Sequence, residues 1–270
     1  MTYHPSGGYS SRDWFINDSW HSFVMLQTGH DRDTPVWNRI ASEWSATPTR
    51  PVLNGEPTYE AISIGFKPAN GLATDHDTRK YAYWCLFSGS AGHTYGCHPI
   101  WQFYAPGRNL EFGGNSGLYW KPIDGKSGAM DLPGAWSILH LRRLLLSRPM
   151  AGRVPDPSLL LDAPTGVAEH QVALKAGDSS WAMLYTPAGL PITVDLGRLG
   201  RQRLSSWWYD PRHGTRQEIG RHLKPQDGGF TYRFVPPHNE GPVSPINPSG
   251  NDWVLVIDDA ERAFQPRGLP

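Results

Sequence analysis

Val52-Leu53-Asn54-Gly55-Glu56, preceded by Pro51 and followed by Pro57-Thr58-Tyr59-Glu60, opens apolar and turns polar before the second proline. Side chains alternate along an extended chain, so Val52, Asn54 and Glu56 share one face. In a parallel sheet covered on both sides that face is expected to be apolar, and Asn and Glu there need partners. The C-terminal end of a parallel strand is also where α/β architectures build their sites. Residues 3–5, 23–27 and 81–87 read as further buried strands, each bounded by Gly, Pro or His. Between the second and third strands the spacing predicts a helix with Thr34 as N-cap and Pro35 at its first position. Its Trp37, Ile40, Ala41 and Trp44 repeat at i, i+3, i+4, i+7, and Pro48 lies past its end. Residues 77–80 read as a shorter helical turn before the fourth strand. A long helix opens near Asp131-Leu132-Pro133, carries Trp136, Leu139, Leu141, Leu144 and Leu145, and stops at Pro149. Such a β-α-β-α series predicts a parallel sheet covered by helices over residues 1–150.

The pattern changes beyond residue 150. Residues 151–164 hold three Pro and one Gly and read as a linker. From 165 to 270 the apolar runs are short and closely spaced, at 171–175, 181–185, 192–196, 204–209, 230–235 and 253–258. Gly177-Asp178, Asp210-Pro211, His213-Gly214 and Asp227-Gly228-Gly229 supply turns between them. That spacing predicts an antiparallel β-sandwich.

Composition narrows the function. Lys plus Arg and Asp plus Glu each number 25, so no positive excess exists to track a phosphate backbone and no nucleic-acid partner is expected. No run of about 18 apolar residues occurs, so no membrane partner is expected. Met1-Thr2-Tyr3-His4-Pro5 shows neither a basic nor an apolar export region. Two cysteines are too few for a disulfide scaffold. The 12 Trp and 11 Tyr are the notable excess, since flat aromatic faces grip sugar rings and also fill cores.

Glu56 reads either as a catalytic carboxylate or as a structural one that caps a loop or pairs with an arginine such as Arg79. Glu60, past Pro57, reads as a loop or supporting residue. After the fourth strand, His93, Tyr95, His98 and Trp101 sit in a loop of small residues that can line a pocket. Cys85, Cys97, His93 and His98 match no zinc spacing, so no metal or other cofactor is expected. No Gly-x-Ser-x-Gly elbow and no phosphate loop appears. His4-Pro5-Ser6-Gly7-Gly8 and Gln27-Thr28-Gly29-His30-Asp31 put polar residues after the first and second strands, at the same end of the sheet.

These motifs, with Gly92-His93-Thr94-Tyr95-Gly96, Leu132-Pro133-Gly134-Ala135 and Trp207-Trp208-Tyr209-Asp210-Pro211-Arg212-His213-Gly214, resemble the apiosidase-like glycoside hydrolases. The resemblance runs from about residue 3 to 258. It implies a (β/α)8 barrel followed by a small β-sandwich, the latter labelled a collagen-binding domain. A full barrel takes about 250 residues, so residues 1–150 correspond to its C-terminal half. By analogy with retaining barrel glycosidases, Glu56 is then the nucleophile at the end of the seventh strand. The same analogy makes His4, Gln27, His30, Asn54, Tyr59, His93 and Trp101 line a carbohydrate site. The acid/base carboxylate belongs to the fourth strand, which lies upstream of residue 1. Three arrangements stay open: a fragment of a longer gene product, a homodimer of half-barrels, or a catalytically dead chain. The first is favoured because Met1-Thr2 runs directly into a strand. The resemblance also implies a secreted or periplasmic protein, although the start carries no signal. The competing reading is an inactive carbohydrate- or matrix-binding protein whose sandwich presents Trp207 or Trp208, with at least one of the two in the core.

Overall fold

The computed structural model describes residues 1–108, 117–123, 125, 128–223, 229–237, 249–262 and 264. The chain divides into two compact units, one of Met1–Leu86, Ser90–Ile138 and Ser244–Ser249, the other of Phe87–Gly89, Leu139–Val243 and Gly250–Pro270. The first is mixed α/β and the second is built mainly of antiparallel strands. Among the described residues no helix is long and apolar enough to cross a membrane.

In the first unit β1 (Val24–Gln27), β2 (Val52–Glu56) and β3 (Gly92–His93) form a parallel sheet with β2 in the middle. Val24 pairs with Val52, and Asn54 with His93. The register shifts at the end of β1: Leu26 faces Asn54 but Gln27 faces Glu56, leaving Gly55 as the extra residue. A Cβ at Gly55 would stand 2.7 Å from the Met25 sulfur, so glycine suits this bulge.

The helices are α1 (Arg12–Phe15), α2 (Val36–Ser45), α3 (Asp75–Phe87), α4 (His98–Trp101) and α5 (Pro133–Leu146). Residues 3–5 are not a strand. Instead the chain at Ser10 makes one antiparallel bridge to Leu26, and Pro5 has no N–H to give to a ladder. Residues 81–87, expected as the fourth strand, are the second half of α3. Tyr81 to Phe87 are buried all round, and a short apolar run of that kind does not distinguish a buried helix from a buried strand. The deciding signal lies upstream, where Thr74 and Asp77 exchange hydrogen bonds as a capping box. The Thr74 N–H donates to Asp77 Oδ2 at 2.8 Å, and the Asp77 N–H points back to Thr74 Oγ1 at 3.4 Å. Arg79, fully buried in this helix, is satisfied by Asp75 at 2.7 Å, Ser137 Oγ at 3.1 Å and the Ser249 carbonyl at 2.6 Å.

Helix α2 begins at Val36, with Pro35 rather than Thr34 at the cap. Its buried stripe is Val36, Ile40 and Glu43, whereas Ala41 and Trp44 face water. Glu43 can be buried because Ser10 Oγ donates to it at 2.7 Å and Arg12 pairs with its other oxygen.

The second unit contains two antiparallel sheets. One runs β10 (Thr215–Leu223), β9 (Arg203–Asp210), β12 (Trp253–Asp259), β7 (Trp181–Thr186), β6 (Val172–Ala176), β4 (Arg153–Pro155). The other runs β11 (Thr231–Phe234), β8 (Ile192–Asp195), β5 (Leu160–Leu161). Leu184, Trp208 and Leu255 of the first join Ile192, Val194 and Phe234 of the second in one apolar core. Residues 151–164 are therefore no mere spacer, since β4 pairs with β6 and β5 with β8. Strand β10 escapes the sequence pattern because it is a polar edge strand, exposed from Thr215 to Ile219. The turn expected at Asp227-Gly228-Gly229 lies largely outside the described residues.

Trp207 and Trp208 are both buried, on opposite faces of β9. Trp208 enters the apolar core, while Trp207 Nε1 donates to Asp258 Oδ2 at 3.1 Å. Neither is an exposed platform. Asp258 also takes two hydrogen bonds from Arg148, at 2.8 and 2.6 Å, and the guanidinium lies 5.5 Å from the Trp207 ring centroid. Replacing Asp258 by Ala strands a buried guanidinium and is expected to destabilise this unit by about 3–5 kcal/mol. The check is a urea transition whose midpoint falls while its slope stays unchanged.

Candidate active site

Glu56 ends β2, and its carboxylate lies between two imidazoles. His4 Nε2 is 3.2 Å from Oε2, and His30 Nε2 is 3.2 Å from Oε1. A carboxylate only accepts, so the proton of each contact sits on Nε2. His30 reaches this position because Gly29 (φ +82°) turns the chain sharply after β1. The buried Nδ1 of His30 meets no hydrogen-bond partner among the described residues. Tyr59 flanks the same imidazole, ring centroids 4.7 Å apart, and a Gln27 side-chain hydrogen bond also reaches Glu56. The side chain of Glu56 keeps 19% of its surface open, enough for a ligand to reach it.

These contacts set the charge. The hydrogen bond from His30 pulls the Glu56 carboxyl below its ordinary value, against desolvation, which raises it. The charges carried by His30 and His4 and the hydrogen bond from Gln27 add to the lowering, so Glu56 is a carboxylate at neutral pH. Burial and the negative charge of Glu56 push the Tyr59 phenol up to about 12, so it remains protonated.

Four of the residues expected around Glu56 thus meet there: His4, Gln27, His30 and Tyr59. Asn54 lies beneath them, fully buried, donating to Thr28 Oγ1 at 3.0 Å and to Cys85 Sγ at 3.3 Å. His93 stands beside Asn54 on β3, a strand position rather than the expected loop, and desolvation pushes its imidazole down to about 3, so it is neutral. Trp101, half exposed on α4, stacks on His98 with centroids 5.7 Å apart and planes 22° apart. Arg79 is engaged with Asp75, not Glu56. Cys85 and Cys97 are free, buried thiols pushed up to about 12 and about 11 by desolvation. Among the described residues no group of three or more His, Cys, Asp or Glu is arranged to hold a metal ion.

Glu60, four residues beyond Glu56, has a different environment. It is buried, its Oε2 accepts from the Tyr95 hydroxyl at 2.5 Å and its Oε1 from the Gly134 N–H at 3.1 Å, at the start of α5. Desolvation raises it to about 7, with the two hydrogen bonds acting the other way. Gly134 is needed there, since a Cβ would stand 2.3 Å from Glu60 Oε2. The Glu60 backbone joins the strand of contacts on both sides: its N–H donates to the Gly96 carbonyl and its carbonyl accepts from His98, each at 2.9 Å. The sequence carried this signal only as Leu132-Pro133-Gly134, which marks a helix start without naming what it meets.

The chain thus joins a mixed α/β unit, with a histidine-flanked carboxylate at a strand end, to an antiparallel β-domain. Residues 1–152 match the family model described as "Apiosidase-like, catalytic domain", and the chain belongs to that family. Residues 154–258 match the model described as "Putative collagen-binding domain of a collagenase". Among solved structures, a glycoside hydrolase family 5 protein from Bacteroides vulgatus is similar over 100% of this chain at 29% identity with a TM-score of 0.84. A second structure, named a glycoside hydrolase, is similar over 98% at 30% identity with a TM-score of 0.82. The chain spans 58% of the length of each. A search of curated protein sequences found no match.

Glu60 gives a pH signature with a definite sign. Between the ordinary carboxyl value of 4.5 and about 7 the folded chain holds a proton that the unfolded chain has released. Its contribution to stability is therefore full below 4.5 and is lost as pH rises through about 7. Unfolding free energies measured at steps from pH 4.5 to 8 are expected to lose this slope in Glu60→Gln.

Proposed function

We propose that this chain carries the nucleophile of a retaining glycoside hydrolase acting on plant-type or other complex polysaccharide, with the general acid on polypeptide outside it. On this reading residues 1–150 are the C-terminal half of a (β/α)8 barrel, and residues 165–270 a β-sandwich. The single observation that carries the proposal is the ionised, partly open Glu56 carboxylate at the end of a parallel strand, one imidazole on each oxygen. The span of 58% of the related structures supports a catalytic unit larger than this chain.

Retaining hydrolysis uses two carboxyl groups about 5–5.5 Å apart, one attacking the anomeric carbon while the other protonates the leaving oxygen. Glu56 is anionic and suits attack. As its oxygen bonds to the sugar, negative charge leaves the carboxylate and the contacts with His4 and His30 weaken. The lowered basicity then helps in the second step, where Glu56 must depart as water attacks the same carbon. Glu60 is occupied by Tyr95 and Gly134 and supports the loop rather than the leaving group. The sandwich does not supply a competing sugar platform through Trp207 or Trp208, because both are buried.

Leaving-group chemistry provides the test. A 2,4-dinitrophenolate departs without protonation, whereas a sugar alkoxide needs the acid. The 270-residue chain is expected to release about one equivalent of dinitrophenolate rapidly from 2,4-dinitrophenyl glycosides of a sugar panel and then to turn over slowly, because the water that frees Glu56 lacks the general base, while unactivated polysaccharide stays intact. Addition of the upstream half-barrel polypeptide is expected to restore polysaccharide cleavage. Glu56→Gln should lower turnover on the order of 10³-fold or more, and 2-fluoro glycoside labelling should map to Glu56. Turnover that survives Glu56→Gln, or a label on another residue, overturns the assignment.

A further inference from the structure

The loop after β2 contains three residues with left-handed backbone: Ala61 (φ +62°), Gly65 (φ +60°) and Phe66 (φ +61°). Glycine is at ease there and a bulky aromatic is not. Hydrogen bonds hold Phe66 in place: its N–H donates to the Ser63 carbonyl at 2.9 Å, and Lys67 closes the turn onto Ile64 at 3.2 Å. Gly65 donates to the backbone carbonyl of His30 at 3.0 Å, which ties this turn to the residue that clamps Glu56. The Asn70 side chain secures the Ile64 carbonyl at 3.1 Å.

Folding alone is better served by glycine at position 66. The Phe66 side chain leaves 42% of its surface in water, so its burial returns little against a strained backbone. What the aromatic adds is a ring beside His30, centroids 5.0 Å apart and planes 82° apart. His30 is thus flanked by Tyr59 on one contact and Phe66 on another, and its Nε2 lies on Glu56. The C–H bonds of a sugar face carry partial positive charge, which a ring's negative π face attracts while apolar surface leaves water.

We propose that Phe66 is a substrate-binding aromatic wall of the Glu56 site, on which the sugar ring rests as its anomeric carbon meets the carboxylate. The inference depends on the glycosidase reading above and names the part of that site that grips the sugar. The strained turn is the device that presents the ring next to His30.

The test uses the full chain with the same 2,4-dinitrophenyl glycoside panel and three variants. Phe66→Gly relieves the left-handed strain, so its Tm should stay equal or rise while KM increases at least tenfold and kcat changes less. Phe66→Trp keeps a flat aromatic face and should remain within about threefold of the parent KM. Phe66→Leu, apolar but without a π face, should fall between. Wild-type KM in Phe66→Gly, or a fall in Tm that accompanies the loss, overturns the inference while Glu56-dependent turnover still supports the broader reading. A parent chain that turns over no member of the panel overturns both.

Discussion

A carboxylate at the end of a parallel strand is tolerated only when something takes the place of the water it gives up. For Glu56 that replacement is a pair of imidazoles, one on each oxygen, with Gln27 adding a third hydrogen bond. The local backbone is arranged around this requirement. The bulge at Gly55 sets Gln27 opposite Glu56, and the sharp turn at Gly29 brings His30 back over the strand end. The result is a charge that is stable, oriented and still open to a ligand.

Four residues further on, the same side chain type is shifted in the opposite direction. Glu60 has lost its water without gaining a cation at its oxygens, and burial drives it toward the neutral acid. Its two hydrogen bonds, from Tyr95 and Gly134, link the loop after β2 to the segment after β3 and to the start of α5. One carboxyl is thus held ionised and partly open, and its neighbour ties three segments together. Environment, and not residue type, separates them.

In the second unit the buried guanidiniums of Arg148 and Arg212 are each matched to a carboxylate. Arg148 and Asp258 share two hydrogen bonds, with Trp207 supplying a third donor to the same carboxylate. At the β9–β10 turn, Asp210 accepts from Arg212 at 2.8 and 3.1 Å and contacts His213 Nδ1 at 3.0 Å, while Gly214 takes the left-handed corner at φ +70°. The aromatic-rich segment Trp207-Trp208-Tyr209-Asp210 is therefore interior structure. The Tyr209 hydroxyl donates to the His140 carbonyl at 2.9 Å, which completes its burial.

Local order was legible wherever it depended on period or on punctuation. Strands β1 and β2, helix α5 with its Pro133 start, and the alternating apolar runs of the second unit follow from residue spacing alone, because backbone geometry imposes those periods. Of the residues that the family resemblance set around Glu56, His4, Gln27, His30 and Tyr59 meet there, although the strand expected at residues 3–5 does not form. Tertiary structure decided what depends on neighbours distant in sequence. It made residues 81–87 helical rather than extended, drew residues 151–164 into two sheets and buried both Trp207 and Trp208. It also shifted the Glu56 and Glu60 carboxyls in opposite directions and turned Phe66 toward His30. Burial and ionisation are sums over surrounding atoms, and a linear pattern of residues does not contain those sums until the chain has closed on itself.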